Sequence, residues 1–126
     1  MKAILIEPMK HPKLVELDGS LDSMYKALEC ETITATYPWE EPIGLVTDDE
    51  GLYSGKPMNR YVKELEQGIV GNFLLCGLGR EDFTDVPDDL IPKFMEIFWK
   101  PEQFLRTPCG LMVVQVDDGS VANEAD

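Results

Sequence analysis

The stretch Ile69–Leu78 constrains this chain most. Ile69, Val70, Phe73, Leu74, Leu75, Cys76 and Leu78 are interrupted only by Gly71, Asn72 and Gly77. A strand with one wet face alternates apolar and polar residues, whereas a run that is apolar at successive positions is buried on both faces. The stretch therefore predicts a central strand, ended by Gly77, Gly79 and the Arg80-Glu81-Asp82 cluster.

The flanking segments predict what surrounds that strand. Ala3–Ile6 and Leu14–Leu17 read as an antiparallel pair separated by Pro8 and Pro12 and stopped at Asp18-Gly19. Ser20 is a good N-cap, Asp22 follows in the first turn, and Leu21, Met24, Tyr25 and Leu28 recur at helical spacing, which predicts a helix over residues 21–30. Thr32–Tyr37 and Ile43–Thr47 read as strands on either side of a loop bracketed by Pro38 and Pro42. A turn at Asp48–Gly51 leads to a short return strand at Leu52–Ser54, and residues 59–67 suggest a helical turn or two. Pro87, Asp88 and Asp89 suit the start of a helix running to about Trp99, with Leu90, Ile91, Phe94, Met95 and Phe98 as its apolar face and Pro92 tolerated in its first turn. Leu111–Val116 is a last strand.

Together these segments predict an α+β fold: a mainly antiparallel sheet of about five or six strands packed by two main helices. It forms one domain over residues 1–116, followed by an acidic disordered tail at 117–126. Two helices on one face would leave Thr32, Thr34 and Thr36 pointing outward as a surface for a homodimer or a partner. Helices on opposite faces would remove that surface.

Charge is the second constraint. The net charge is −13, yet residues 40–50, 81–89 and 117–126 hold fourteen of the 24 acids and no base. The rest of the chain is nearly neutral. Such segments repel polyanions and anionic lipid, which argues against DNA, RNA or membrane binding and favours a protein with a basic surface. No apolar run nears the roughly 20 residues of a membrane span, Met1–Pro8 is too short for a signal peptide, and three cysteines without framework spacing suit a reducing, cytoplasmic setting.

Patterns that carry chemistry are sparse. His11 is the only histidine and reads as an exposed loop residue. Cys30, Cys76 and Cys109 lack zinc spacing, and the first two read as core thiols. Gly77 and Gly79 precede two acids, which would repel a phosphate, and Asp48–Gly51 lacks the acid spacing of a calcium loop. No catalytic residue, metal ligand or cofactor is assigned. Tyr37 and Trp39 around Pro38, and Phe98 with Trp99, suggest a peptide- or base-stacking platform. Glu40 and Glu41 after Trp39 argue against bases, Phe98 reads as core, and Trp39 is the better candidate for an exposed contact.

Several segments carry a family likeness: Lys2–Pro8, Leu17–Leu21, Thr36–Pro38, Asp49–Gly51, Gly55–Arg60, Ile69–Phe73, Cys76-Gly77 and Asp82–Thr84. In this order they resemble an uncharacterised domain family of unknown function, made of short proteins from Gram-positive bacteria, their phages and mobile elements. The likeness covers about residues 1–100 and brings no catalytic residue with it. Its most specific stretch, Gly55–Arg60, admits two readings. Asn59 caps a turn while Arg60 pairs with a carboxylate, or the two contact a ligand or partner.

The expected function is a non-enzymatic, protein-binding accessory factor of a phage or mobile element; its sharpest form is an inhibitor of host defence that mimics DNA charge. The candidate binding residues are Trp39, Glu40, Glu41, Asp48, Asp49, Glu50, Asn59, Arg60 and Arg80. The alternative is a small-molecule or nucleotide-binding domain with a pocket near Arg60, Arg80 and Tyr61. An enzyme using carboxylates or Cys109 is the third reading.

Overall fold

The computed structural model describes residues 1–51, 55–80 and 82–116. In chain order its elements are β1 (Lys2–Ile6), β2 (Lys13–Glu16), α1 (Leu21–Leu28), β3 (Ile33–Thr36), β4 (Ile43–Asp48), β5 (Met58–Val62), β6 (Gln67–Val70), β7 (Phe73–Leu78), β8 (Phe83–Thr84), α2 (Ile91–Ile97), β9 (Glu102–Thr107) and β10 (Gly110–Gln115). The expected strand at Leu52–Ser54 and the expected tail at 117–126 lie outside the described residues. No helix among the described residues is long and apolar enough to cross a membrane.

The fold is α+β and its strand pairs are antiparallel, but the sheet is split. Six strands form the main sheet in the order β2-β1-β7-β4-β3, with β8 added on β7. Two further ribbons stand apart, β5–β6 and β9–β10. The apolar run divides for a local reason. Gly71 adopts φ +75°, a left-handed conformation open to glycine, so the chain turns at Gly71-Asn72. Ile69 and Val70 then belong to β6, and Phe73–Leu78 alone is the central strand.

β7 is buried on both faces because a helix covers each. Leu74 and Cys76 join Met24 and Leu28 of α1, with Ala3, Leu5 and Val46. Phe73 and Leu75 join Phe94 of α2 and Phe98 just beyond it, with Ile4, Ile6, Ile43 and Leu45. Val62 and Ile69 of the β5–β6 ribbon complete this second layer. The helices thus lie on opposite faces, yet the threonine side is only partly covered: Ile33 and Ala35 pack toward α1, the Thr36 hydroxyl is buried, and Thr32 and Thr34 stay exposed.

Three boundaries differ from expectation. Residues 59–67 form the β5–β6 hairpin rather than helical turns; Tyr61 and Val62 favour strand, and Glu66 takes the left-handed conformation in the connecting turn. α2 begins at Ile91, with Pro92 in its first turn, so Asp88 and Asp89 lie in the preceding turn closed by Leu90 N–H on Pro87 O (2.9 Å). β9 is an additional strand, and it supplies the partner of β10.

The crossing of the chain after β8 is tight. A Cβ on Gly77 would stand 2.0 Å from the Asp85 carbonyl oxygen. Backbone cannot yield there as a flexible side chain does, so Gly77→Ala should cost about 1–3 kcal/mol of stability. Urea unfolding checks this, and an unchanged midpoint would contradict the packing described.

Candidate functional site

Strand register decides which acidic turns meet. Gly77 near the end of β7 faces Ile43 on one side and Thr84 on the other. Leu78 N–H donates to Pro42 O (3.0 Å), and Val86 N–H donates to Lys2 O (3.0 Å). The turn holding Glu40 and Glu41 and the segment Asp82–Asp89 therefore lie at one end of the main sheet. Asp18 and Asp22 at the start of α1 lie there too, because Lys2 pairs with Glu16 and Leu17 N–H donates to Met1 O (2.8 Å).

Asp48, Asp49 and Glu50 sit at the other end of β4, about 17–20 Å away at the rise of a six-residue strand. Asp48 does structural work there. Its carboxylate accepts from Lys56 Nζ (3.1 Å) and from Glu50 N–H (2.9 Å), while Lys56 Nζ also donates to the Leu28 and Glu29 carbonyls (3.1 and 2.6 Å) that end α1. The first acidic segment is thus divided between two ends of the molecule.

At the shared end, part of the charge is neutralised locally. Glu41 pairs with Lys93 of α2, which holds its carboxyl below the usual range. Asp85 accepts from Lys2 N–H (2.8 Å), and Asp88 pairs with Lys2 Nζ (3.3 Å). Asp18 accepts from the Ser20 hydroxyl and N–H, which lowers its carboxyl as well. Glu40, Asp82 and Asp89 remain exposed, with no such pairing among the described residues.

A groove of about 520 Å³ opens at this end, lined by Leu21, Tyr37, Leu78, Arg80, Asp82 and Phe83. Tyr37 and Leu21 are 59% and 56% exposed. The aromatic of the Pro38 loop that meets solvent is therefore Tyr37. Trp39 turns inward against Phe94 (ring centroids 4.9 Å, edge-on) and Phe98 (6.1 Å), so its expected role as the exposed contact is replaced by packing. Sequence alone does not distinguish Tyr37 from Trp39, because each adjoins Pro38 and only the packed α2 tells them apart.

Asn59 and Arg60 are both fully buried. Asn59 Nδ2 donates to Ile6 O (2.9 Å) and Gly71 O (2.8 Å), fastening the β5–β6 ribbon to β1 and to its own turn. Arg60 Nε donates to Phe98 O (3.3 Å), and Nη2 to Phe98 O (3.0 Å) and Lys10 O (2.6 Å). Nη1 donates to Asn59 O (3.4 Å) and Oδ1 (2.9 Å). Five contacts thus occupy the five guanidinium donors, which leaves none for a ligand phosphate. The expected turn cap and carboxylate pair are not what forms: Asn59 lies within β5 and ties it to β1 and the Gly71 turn, and Arg60's partners are carbonyl-type oxygens. Burial brings the Arg60 pKa down to about 10, opposed by the nearby Glu102 charge.

His11 belongs to the same junction. It is half-buried rather than exposed, stacked on Trp99 (4.1 Å between centroids) with Nδ1 2.6 Å from Trp99 O. Arg80 and Tyr61 line different grooves, Arg80 the one at the acidic end and Tyr61 one between β5, α2 and β10, while Arg60 is buried. Burial also raises the Cys76 thiol to about 12.

Arg60→Lys keeps the charge but supplies three donors in place of five, stranding buried carbonyls. It should destabilise the fold by about 2 kcal/mol or more, whereas exposed Arg80→Lys should change stability by less than about 0.5 kcal/mol. Parallel urea titrations make the comparison, and equal midpoints for the two variants would refute the role given to Arg60.

No curated protein and no solved structure matches this chain. A family model described as domain of unknown function DUF3846 matches residues 1–98. That match spans both helices and the whole main sheet, and it stops before the β9–β10 ribbon. By this match the chain belongs to the DUF3846 family of domains of unknown function.

Proposed function

We propose that this protein is a non-enzymatic binding factor, acting inside the cell, that engages a basic protein surface through the acidic end of its main sheet. One observation carries the reading. Strand register brings two separate base-free acidic turns to the same end, around a groove where Tyr37 and Leu21 are exposed. Charge at a rim speeds encounter and selects partners, while a desolvated aromatic anchor supplies affinity.

The sharpest version is a phage- or mobile-element-encoded inhibitor of host defence that occupies a nuclease's DNA site. The carboxylates lie in turns rather than at regular spacing along a strand or helix, so the likeness to DNA on this reading is one of net charge more than of phosphate geometry. Asp48 and its neighbours at the opposite end take no part.

Binding to a basic nuclease, measured at low and high salt, tests the reading. Affinity should fall at least about tenfold as salt rises, since exposed charges are screened within about 10 Å at 0.1 M salt. Combined Glu40→Gln, Asp82→Asn and Asp89→Asn should reproduce that loss at low salt, whereas Asp49→Asn with Glu50→Gln should not. Equal losses from both sets would mean that net charge alone is sensed, and salt-independent affinity would overturn the reading.

A further inference from the structure

We infer that β10 is a self-association strand, through which two copies of this chain pair edge to edge. Exposed apolar surface gathers around it. Of the eleven large hydrophobic side chains exposed among the described residues, Leu105, Leu111, Met112, Val113 and Val114 belong to the β9–β10 ribbon. Tyr61, Ile97 and Trp99 adjoin it, since Tyr61 and Ile97 line one groove with Val113, and Ile97 and Trp99 line another with Gln115. A patch of this kind marks an interaction surface.

The register separates the two faces of the ribbon. Phe104 opposes Val113, and this face turns toward the body: Phe104 packs beside Gly68, and Val113 lines the groove with Tyr61 and Phe98. Leu105 opposes Met112, and Gln103 opposes Val114, on the outer face. Leu105, Met112 and Val114 are 44%, 50% and 38% exposed there. Among the described residues β10 pairs only with β9, so its outer edge presents unpaired backbone donors and acceptors. A two-stranded ribbon is marginal in water, and three or more strands with an apolar face are stable.

Charge selects a second copy as the occupant. Gly110–Gln115 carries no charged residue in a chain of net charge −13. Two like-charged copies meet with least repulsion along such a neutral strip, whereas a basic partner gains nothing from it. Antiparallel pairing about a two-fold axis at Val113 keeps each ribbon's outer face on the same side. It places Met112 of one copy opposite Val114 of the other, which yields a four-stranded sheet with one continuous apolar stripe. This inference does not rest on the proposed function.

Light scattering of the full chain from micromolar to near-millimolar concentration tests the inference. The mass should rise from the 14.2 kDa chain toward twice that value. Met112→Lys with Val114→Lys changes only exposed side chains and sets like charges opposite one another. It should stay monomeric over the same range with an unchanged circular dichroism spectrum. Hydrogen exchange of the wild type is the second measurement: amides of residues 111–115 should slow as concentration rises. A wild type that stays monomeric overturns the inference. So does a dimer that survives the double substitution, or one whose β10 amides exchange at a concentration-independent rate.

Discussion

Everything on the α2 side of the sheet depends on the buried guanidinium of Arg60. Taking a charge out of water is costly unless hydrogen bonds replace the lost hydration. Here carbonyls of Lys10, Asn59 and Phe98 and the Asn59 amide oxygen replace it. The dependence is mutual. The Phe98 carbonyl ends α2, where helix carbonyls lack intrahelical partners and favour a cation. α2 has only seven residues, too few to stand alone, so it is held by Phe94 and Phe98 in the core and by Arg60 at its end. Asn59 extends the hold to β1 and the Gly71 turn.

That junction determines what the opposite end of the sheet can be. With the ribbon, the loop after β1 and the end of α2 locked together, the turns at the far end face solvent around Tyr37. Both helices also begin at that end, so Asp18, Asp22, Asp88 and Asp89 lie near the positive ends of helix dipoles. Part of the acidity there stabilises the fold, and the exposed remainder is what a partner can meet. The apolar β9–β10 ribbon sits beside β5. One chain thus carries both a charged end and a neutral, apolar edge.

Much of this was legible residue by residue. The run from Phe73 to Cys76 revealed the central strand because every successive position is apolar, and Ser20 with Leu21, Met24 and Leu28 revealed α1 because cap and periodicity agree. The break at Gly71-Asn72 was legible only in hindsight, since a glycine inside an apolar run also suits a buried strand. Residues 59–67 misled because the pattern of Tyr61, Val62 and Leu65 also fits a helical stripe, while what decides the strand is long-range: Asn59 and Arg60 find their acceptors on β1, the loop after it and the end of α2. β9 is not legible locally because Glu102, Gln103 and Arg106 dilute its alternation, and its pairing with β10 supplies what local propensity does not. For the candidate site, charge clustering was visible but its geometry was not. Register alone separates Asp48–Glu50 from Glu40 and Glu41.

The central claim is that one of the three arginines is a buried tie rather than a surface contact. Nitrogen-resolved NMR of the arginine side chains near neutral pH examines it directly. If Arg60 is held by five carbonyl-type contacts, its Nη protons should appear as separate, slowly exchanging signals, while those of Arg80 and Arg106 average and exchange with water. Three arginines alike in averaging and fast exchange would contradict the account.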